Sequence, residues 1–130
     1  MGNRVRAALK AVCFCFLLQA FVRAILANWL VCVAVWCAGA ANSLPGKILG
    51  LWPPICAFVA IGLEHSVANM FLIPLGIALG ADITFTHFLT ANLIPVTLGN
   101  IVGGMVFMGF SNAYFFGSLG KKKEVAAATA

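Results

Sequence analysis

GLEHSVANMF, residues 62–71, sets a glutamate, a histidine and an asparagine inside a stretch whose other side chains suit lipid. The runs on either side are apolar but short. Ile48 to Leu63 gives about 16 residues and Val67 to Leu79 about 13, against the roughly 20 that a crossing helix requires. Together they are too long for one straight helix, and Pro53, Pro54 and Pro74 interrupt them. The pattern predicts a discontinuous helix: a half-helix, an unwound break near residues 62–66, and a second half-helix. Non-helical backbone at membrane depth survives only where protein buries it or where it lines a cavity. Short, Gly/Pro-interrupted apolar segments are the usual pointer to a transporter's binding site.

The composition agrees with this reading. Of 130 residues, 63% are hydrophobic and 8% charged, and the mean hydropathy is +1.07. Soluble domains carry roughly 25% charged residues, so the chain is read as an all-α integral membrane protein that crosses the bilayer several times. A net charge of +5 does not imply nucleic acid, because the cations gather at the ends: Arg4, Arg6 and Lys10 first, Lys121, Lys122 and Lys123 last. Cys13, Cys15, Cys32, Cys37 and Cys56 lack zinc-site spacing and are expected as small buried hydrophobes. The start resembles a signal peptide, but no cleavage site is legible. Arg6 breaks the myristoylation pattern after Met-Gly.

Residues 11–41 form one apolar run, interrupted only by Gln19, Arg23 and Asn28. We read residues 1–22 as a basic lead with an interfacial or partial helix, and the span proper as about 24–41. "NSLPGK" (42–47) is a turn. Residues 80–92 read as a polar connection carrying Asp82 and His87, and the last span runs from Leu93 to about Leu119. Within it, Gly99 and Gly103 form a GxxxG pair suited to close helix approach. Residues 120–130 read as a basic, disordered tail. The transmembrane domain is thus 23–119.

Three segments, "ANWLVCVAVW" (27–36), "FVAIGLEHSVANMFLIPLG" (58–76) and "NLIPVTLGNIVGG" (92–104), resemble the formate/nitrite transporter family. The resemblance implies an aquaporin-like fold of two inverted three-span repeats, assembled as a homo-pentamer in which each protomer has its own pore. It covers only the family's spans 4 to 6, one such repeat. It implies transport of small monovalent anions such as formate or nitrite, and exchange of protons with them; no motif suggests catalysis, a metal or an organic cofactor. Under it His65 is the central pore histidine, Phe58 narrows the pore, and Asn28 and Asn100 face the central region. An anion approaching His65 would gain Coulomb attraction, take a proton and cross the apolar constriction as neutral acid. A charge at mid-bilayer costs about 3 kcal/mol or more, so neutralisation lowers that barrier.

The neighbouring residues are expected to support the break. Glu64 would accept hydrogen bonds from freed backbone N–H groups. Ser66 would cap the second half-helix, and Asn69 would hold the loop. His65 and His87 are not placed to ligate a haem, since His87 falls outside the expected spans. The cations do not orient the chain. Placing Lys47 and the three C-terminal lysines inside leaves Arg4, Arg6, Lys10 and Arg23 outside, four against four. The expected location is the plasma membrane or an organelle membrane. With counterparts of spans 1 to 3 missing, the alternative to a working pore is a truncated, non-transporting membrane fragment or a structural partner of full-length relatives.

Overall fold

The structure, a computed structural model, describes residues 2–117, and side chains from residue 15 onward. The side chains of Arg4, Arg6, Lys10 and Cys13 and the expected tail at 120–130 lie outside the described residues. Four helical elements follow one another: α1 (Gly2–Ala40), α2 (Leu44–Ile61), α3 (Ser66–Ala78) and α4 (Phe85–Phe115). Cys15–Ala40, α2 and α4 are each long and apolar enough to cross a membrane, and the protein is a multi-pass membrane protein.

Two boundaries differ from the expectation. α1 runs unbroken past residue 22, because Gln19 and Arg23 interrupt the hydropathy but leave the backbone ladder intact. The last span begins at Phe85, inside the expected connection, because Thr84 caps it: its Oγ1 accepts from the His87 N–H at 3.3 Å. α4 is also not uniformly α-helical. Phe88–Leu93 and Val102–Phe110 wind as π-helix, a rare geometry concentrated at functional sites.

α1 packs against α2 and α4. The buried seam is built from small residues. Ala24, Ala27 and Ala34 of α1 and Val96 of α4 are fully buried, and Phe88 nearly so. Within a bilayer, helices are held together by close van der Waals contact and hydrogen bonds, so small side chains serve better than large ones. A Cβ added at Gly99 would strike the Phe21 carbonyl oxygen and would lie 2.7 Å from the Ala24 Cβ. One added at Gly103 would strike the Ile25 carbonyl. The expected GxxxG pair is therefore the contact by which α4 meets α1.

Large apolar side chains point outward along every span, among them Trp29, Trp36, Trp52 and Phe110, and α2 buries none of its residues. The cysteines depart from the buried reading. Cys15, Cys37 and Cys56 are exposed, and Cys32 is intermediate, all as free thiols. A thiol is apolar enough for an outward-facing position, so burial does not follow from its chemistry here.

Candidate functional site

The break between α2 and α3 falls where the sequence reading puts it. α2 is longer than expected, 18 residues, because Leu44–Lys47 join it behind the N-cap Ser43. It ends in a Schellman motif. The Gly62 N–H donates to the Val59 carbonyl at 3.1 Å, and the Leu63 N–H to the Phe58 carbonyl at 3.3 Å. That closure requires Gly62 in the left-handed region, φ 69° and ψ 44°, where a side chain is strained. His65 is extended, φ −127°, and α3 starts at the next residue.

The cap of α3 is His65, not Ser66. Its Nδ1 accepts from the Val67 N–H at 3.3 Å. A ring nitrogen that accepts cannot carry the proton, so in the neutral imidazole the proton sits on Nε2. The Phe58 ring stands edge-on to the imidazole, with centroids 5.7 Å apart and planes at 68°. The seven-residue spacing between them becomes a contact because the chain turns back at Gly62.

Ser66 is recruited elsewhere. Its N–H and its hydroxyl both donate to Asn100 Oδ1, each at 2.9 Å. Asn100 Nδ2 donates to the Ala24 carbonyl at 2.8 Å and to the Glu64 carbonyl at 3.3 Å. With 6% of its surface exposed, this amide ties α1, the break and the start of α3 to α4. Asn28 Nδ2 donates to the Asn100 carbonyl at 2.7 Å, one helical turn beyond Ala24. Asn100 reaches the break, whereas Asn28 reaches only the Asn100 carbonyl on α4.

Among the described residues, Glu64 does not accept from backbone N–H groups as expected. Its Oε2 accepts from Asn69 Nδ2 at 2.6 Å and from Asn92 Nδ2 at 3.3 Å, and Asn69 Nδ2 also donates to Asn92 Oδ1 at 2.8 Å. The reason is reach: the amides of α3 and α4 arrive beside the carboxylate and satisfy it first. Asn69 thus links α3 to the Glu64 carboxylate in the break. Asn92 was missed, because the sequence reading placed it in a connection. Its signal was spacing: Asn92, Val96, Gly99, Asn100 and Gly103 recur at helical intervals.

His65, Phe58, Glu64, Ser66, Asn69 and Asn100 are therefore brought together around one break, with Asn92 added, and Asn28 is linked to it only through the Asn100 carbonyl. His87 is exposed and lines a cavity between α1 and the start of α4, together with Glu64 and Asn92. Chemically, the break offers an imidazole whose Nε2 is free of the cap, beside the Phe58 ring. The carboxylate next to it is already engaged by two amides.

Comparison with known proteins gives one consistent result. Residues 2–114 match the family described as "Formate/nitrite transporter". The chain is 63% identical to the "Probable formate transporter" of Methanothermobacter thermautotrophicus over 69% of its own length and 32% of that protein's. It is 41% identical to the "Formate channel FocA" of Escherichia coli K12, over 72% of this chain and 39% of that one. A solved structure titled "Pentameric formate channel with formate bound" superposes with a TM-score of 0.66 at 44% identity, covering 72% of this chain and 44% of that one. The chain thus spans between 32% and 39% of these two relatives' length. The all-helical architecture with its broken middle element, the matched fold and the profile across most of the chain agree: the protein belongs to the formate/nitrite transporter family.

Proposed function

We propose that the chain forms part of a transmembrane channel for small monovalent anions of weak acids, formate or nitrite, with His65 as the central residue that exchanges a proton with the anion. The observation that carries this reading is the geometry of the imidazole, whose Nδ1 meets the Val67 N–H at 3.3 Å. Nδ1 is fixed on the Val67 N–H, so the exchangeable proton faces away from the cap on Nε2. An incoming anion would accept that proton and pass the Phe58 edge as neutral acid, avoiding the cost of an unpaired charge at membrane depth. Phe58 is the constriction in this reading. Asn28, Asn100, Ser66, Glu64 and Asn69 hold the break open and still. Residues 23–119 form the channel-building part, and the assembly is a homo-oligomer, a pentamer as in the matched channel's title, set in the plasma membrane or an organelle membrane.

A second reading is supported by the partial coverage of relatives: a membrane segment that does not transport without the rest of a family protomer. One experiment separates the two. Formate and nitrite uptake is measured in proteoliposomes holding the purified chain, beside His65→Ala. Uptake that disappears in the variant supports gating by His65. Full uptake persisting in the variant removes His65 from the mechanism. Absence of uptake in both favours the second reading.

A further inference from the structure

We propose that the groove between the C-terminal halves of α1 and α4 binds an anionic phospholipid, with an acyl chain along the groove and the headgroup held by Lys121, Lys122 and Lys123. The groove has a volume of about 680 Å³, and Trp36, Gly39 and Ala40 of α1 line it with Gly104, Met108 and Asn112 of α4. No residue of the break or of α2 contributes to it. The two helices run parallel here. Gly103 packs on Ile25, and further along the Phe116 ring meets that of Trp36 with centroids 5.5 Å apart. Both helices therefore end at one membrane face, and the groove reaches that face at Ala40 and Asn112.

Charge decides the occupant. Lys121, Lys122 and Lys123 follow Gly117 by four to six residues, which keeps them within about 20 Å of the end of α4. Lys47, in the first turn of α2, lies at the same face, because only the turn after Ala40 separates it from the end of α1. Of the three carboxylates in the chain, only Glu124 is near. Glu64 and Asp82 belong to the opposite end of α4, where Glu64 meets Asn92 and Asp82 precedes Phe85. A cluster of lysines at the end of a span attracts anionic headgroups, and each lysine adds to the affinity.

The groove's own side chains suit the rest of the molecule. Its wall is apolar apart from Asn112, and among the described residues no hydrogen bond engages the Asn112 side-chain amide. At the membrane face that amide can donate to a phosphate or ester oxygen. Trp36 and Tyr114 supply the amphipathic rings found at headgroup depth. A further helix is the poorer occupant. It would cover the Asn112 amide without a partner and leave the lysines uncompensated.

The full chain, carrying Trp29→Phe and Trp52→Phe so that Trp36 alone fluoresces, is reconstituted in vesicles of phosphatidylcholine with phosphatidylglycerol, one lipid or the other brominated on its acyl chains. Brominated phosphatidylglycerol is expected to quench Trp36 with an association constant at least about fivefold above that of phosphatidylcholine, the weight of one engaged lysine. The preference should vanish when Lys121, Lys122 and Lys123 are all replaced by glutamine, a change that leaves the described helices untouched. It should also fall in Gly39→Leu, because a side chain there meets nothing within 4 Å and fills the groove. A second chain keeps Trp52 alone, which is exposed on α2, and should show no preference. Equal quenching of Trp36 by the two lipids overturns the proposal, as does an equal preference at Trp52 or one that survives loss of the three lysines. A Trp36 that neither lipid quenches also overturns it, since protein would then cover the groove.

Discussion

Replacing Asn100 by alanine removes a side chain with four polar contacts in one buried place. Their weights differ. The Ser66 hydroxyl can rotate to another acceptor, and the Ala24 carbonyl belongs to a helix. The Ser66 N–H and the Glu64 carbonyl belong to the break, where no helical ladder replaces the lost partner. Interhelical hydrogen bonds in membranes average about 0.6 kcal/mol, which would make the substitution mild. Leaving a buried backbone group unpaired costs about 1–3 kcal/mol, and two such groups would be left. The second effect is expected to win, giving about 2–6 kcal/mol of destabilisation. Asn28→Ala removes one donor to a helical carbonyl and is expected to cost about 1 kcal/mol or less. Both variants are compared by denaturant titration of the chain in mixed micelles, followed by helical circular dichroism. If Asn100→Ala proves no more costly than Asn28→Ala, the assignment of Asn100 as the tie that holds the break is wrong.

Further expectations follow from the same geometry. Gly103→Ala drives a methyl into the Ile25 backbone, which cannot swing aside, and should cost about 3 kcal/mol or more through forced separation of α1 and α4. Gly109→Ala meets its nearest atom at 3.5 Å, an ordinary contact, and should leave the denaturation midpoint near that of the wild type; equal midpoints for the two would refute the seam. In ¹⁵N spectra the neutral His65 ring should show a protonated Nε2 and a bare Nδ1. The reverse pattern would remove the Val67 cap. Glu64→Gln retains an oxygen for Asn69 and Asn92 and should cost less than Glu64→Leu, which strands two amides at about 1–3 kcal/mol for each buried group. Equal losses in the titration would show that charge, not hydrogen bonding, is what the amides need.

Much of this protein is legible in its sequence because the chemistry involved is local. Apolar runs of span length require a bilayer. Gly62 supplies the left-handed turn that ends α2 wherever the rest of the chain lies, and the polar residues after it mark the break. Gly99 and Gly103 announce a close helix contact from spacing alone. What the sequence does not decide is which polar group takes which partner. Ser66 and His65 are neighbours, and either could cap α3. The choice falls to His65 because Asn100, 34 residues away from Ser66, arrives with an acceptor for both the Ser66 hydroxyl and its N–H. Glu64 likewise takes its partners from Asn69 and Asn92, because α3 and α4 bring their amides to it. Hydrogen bonds are selected by distance and direction among groups already placed, so only the packed helices determine them, whereas hydropathy and backbone freedom are carried by each residue itself.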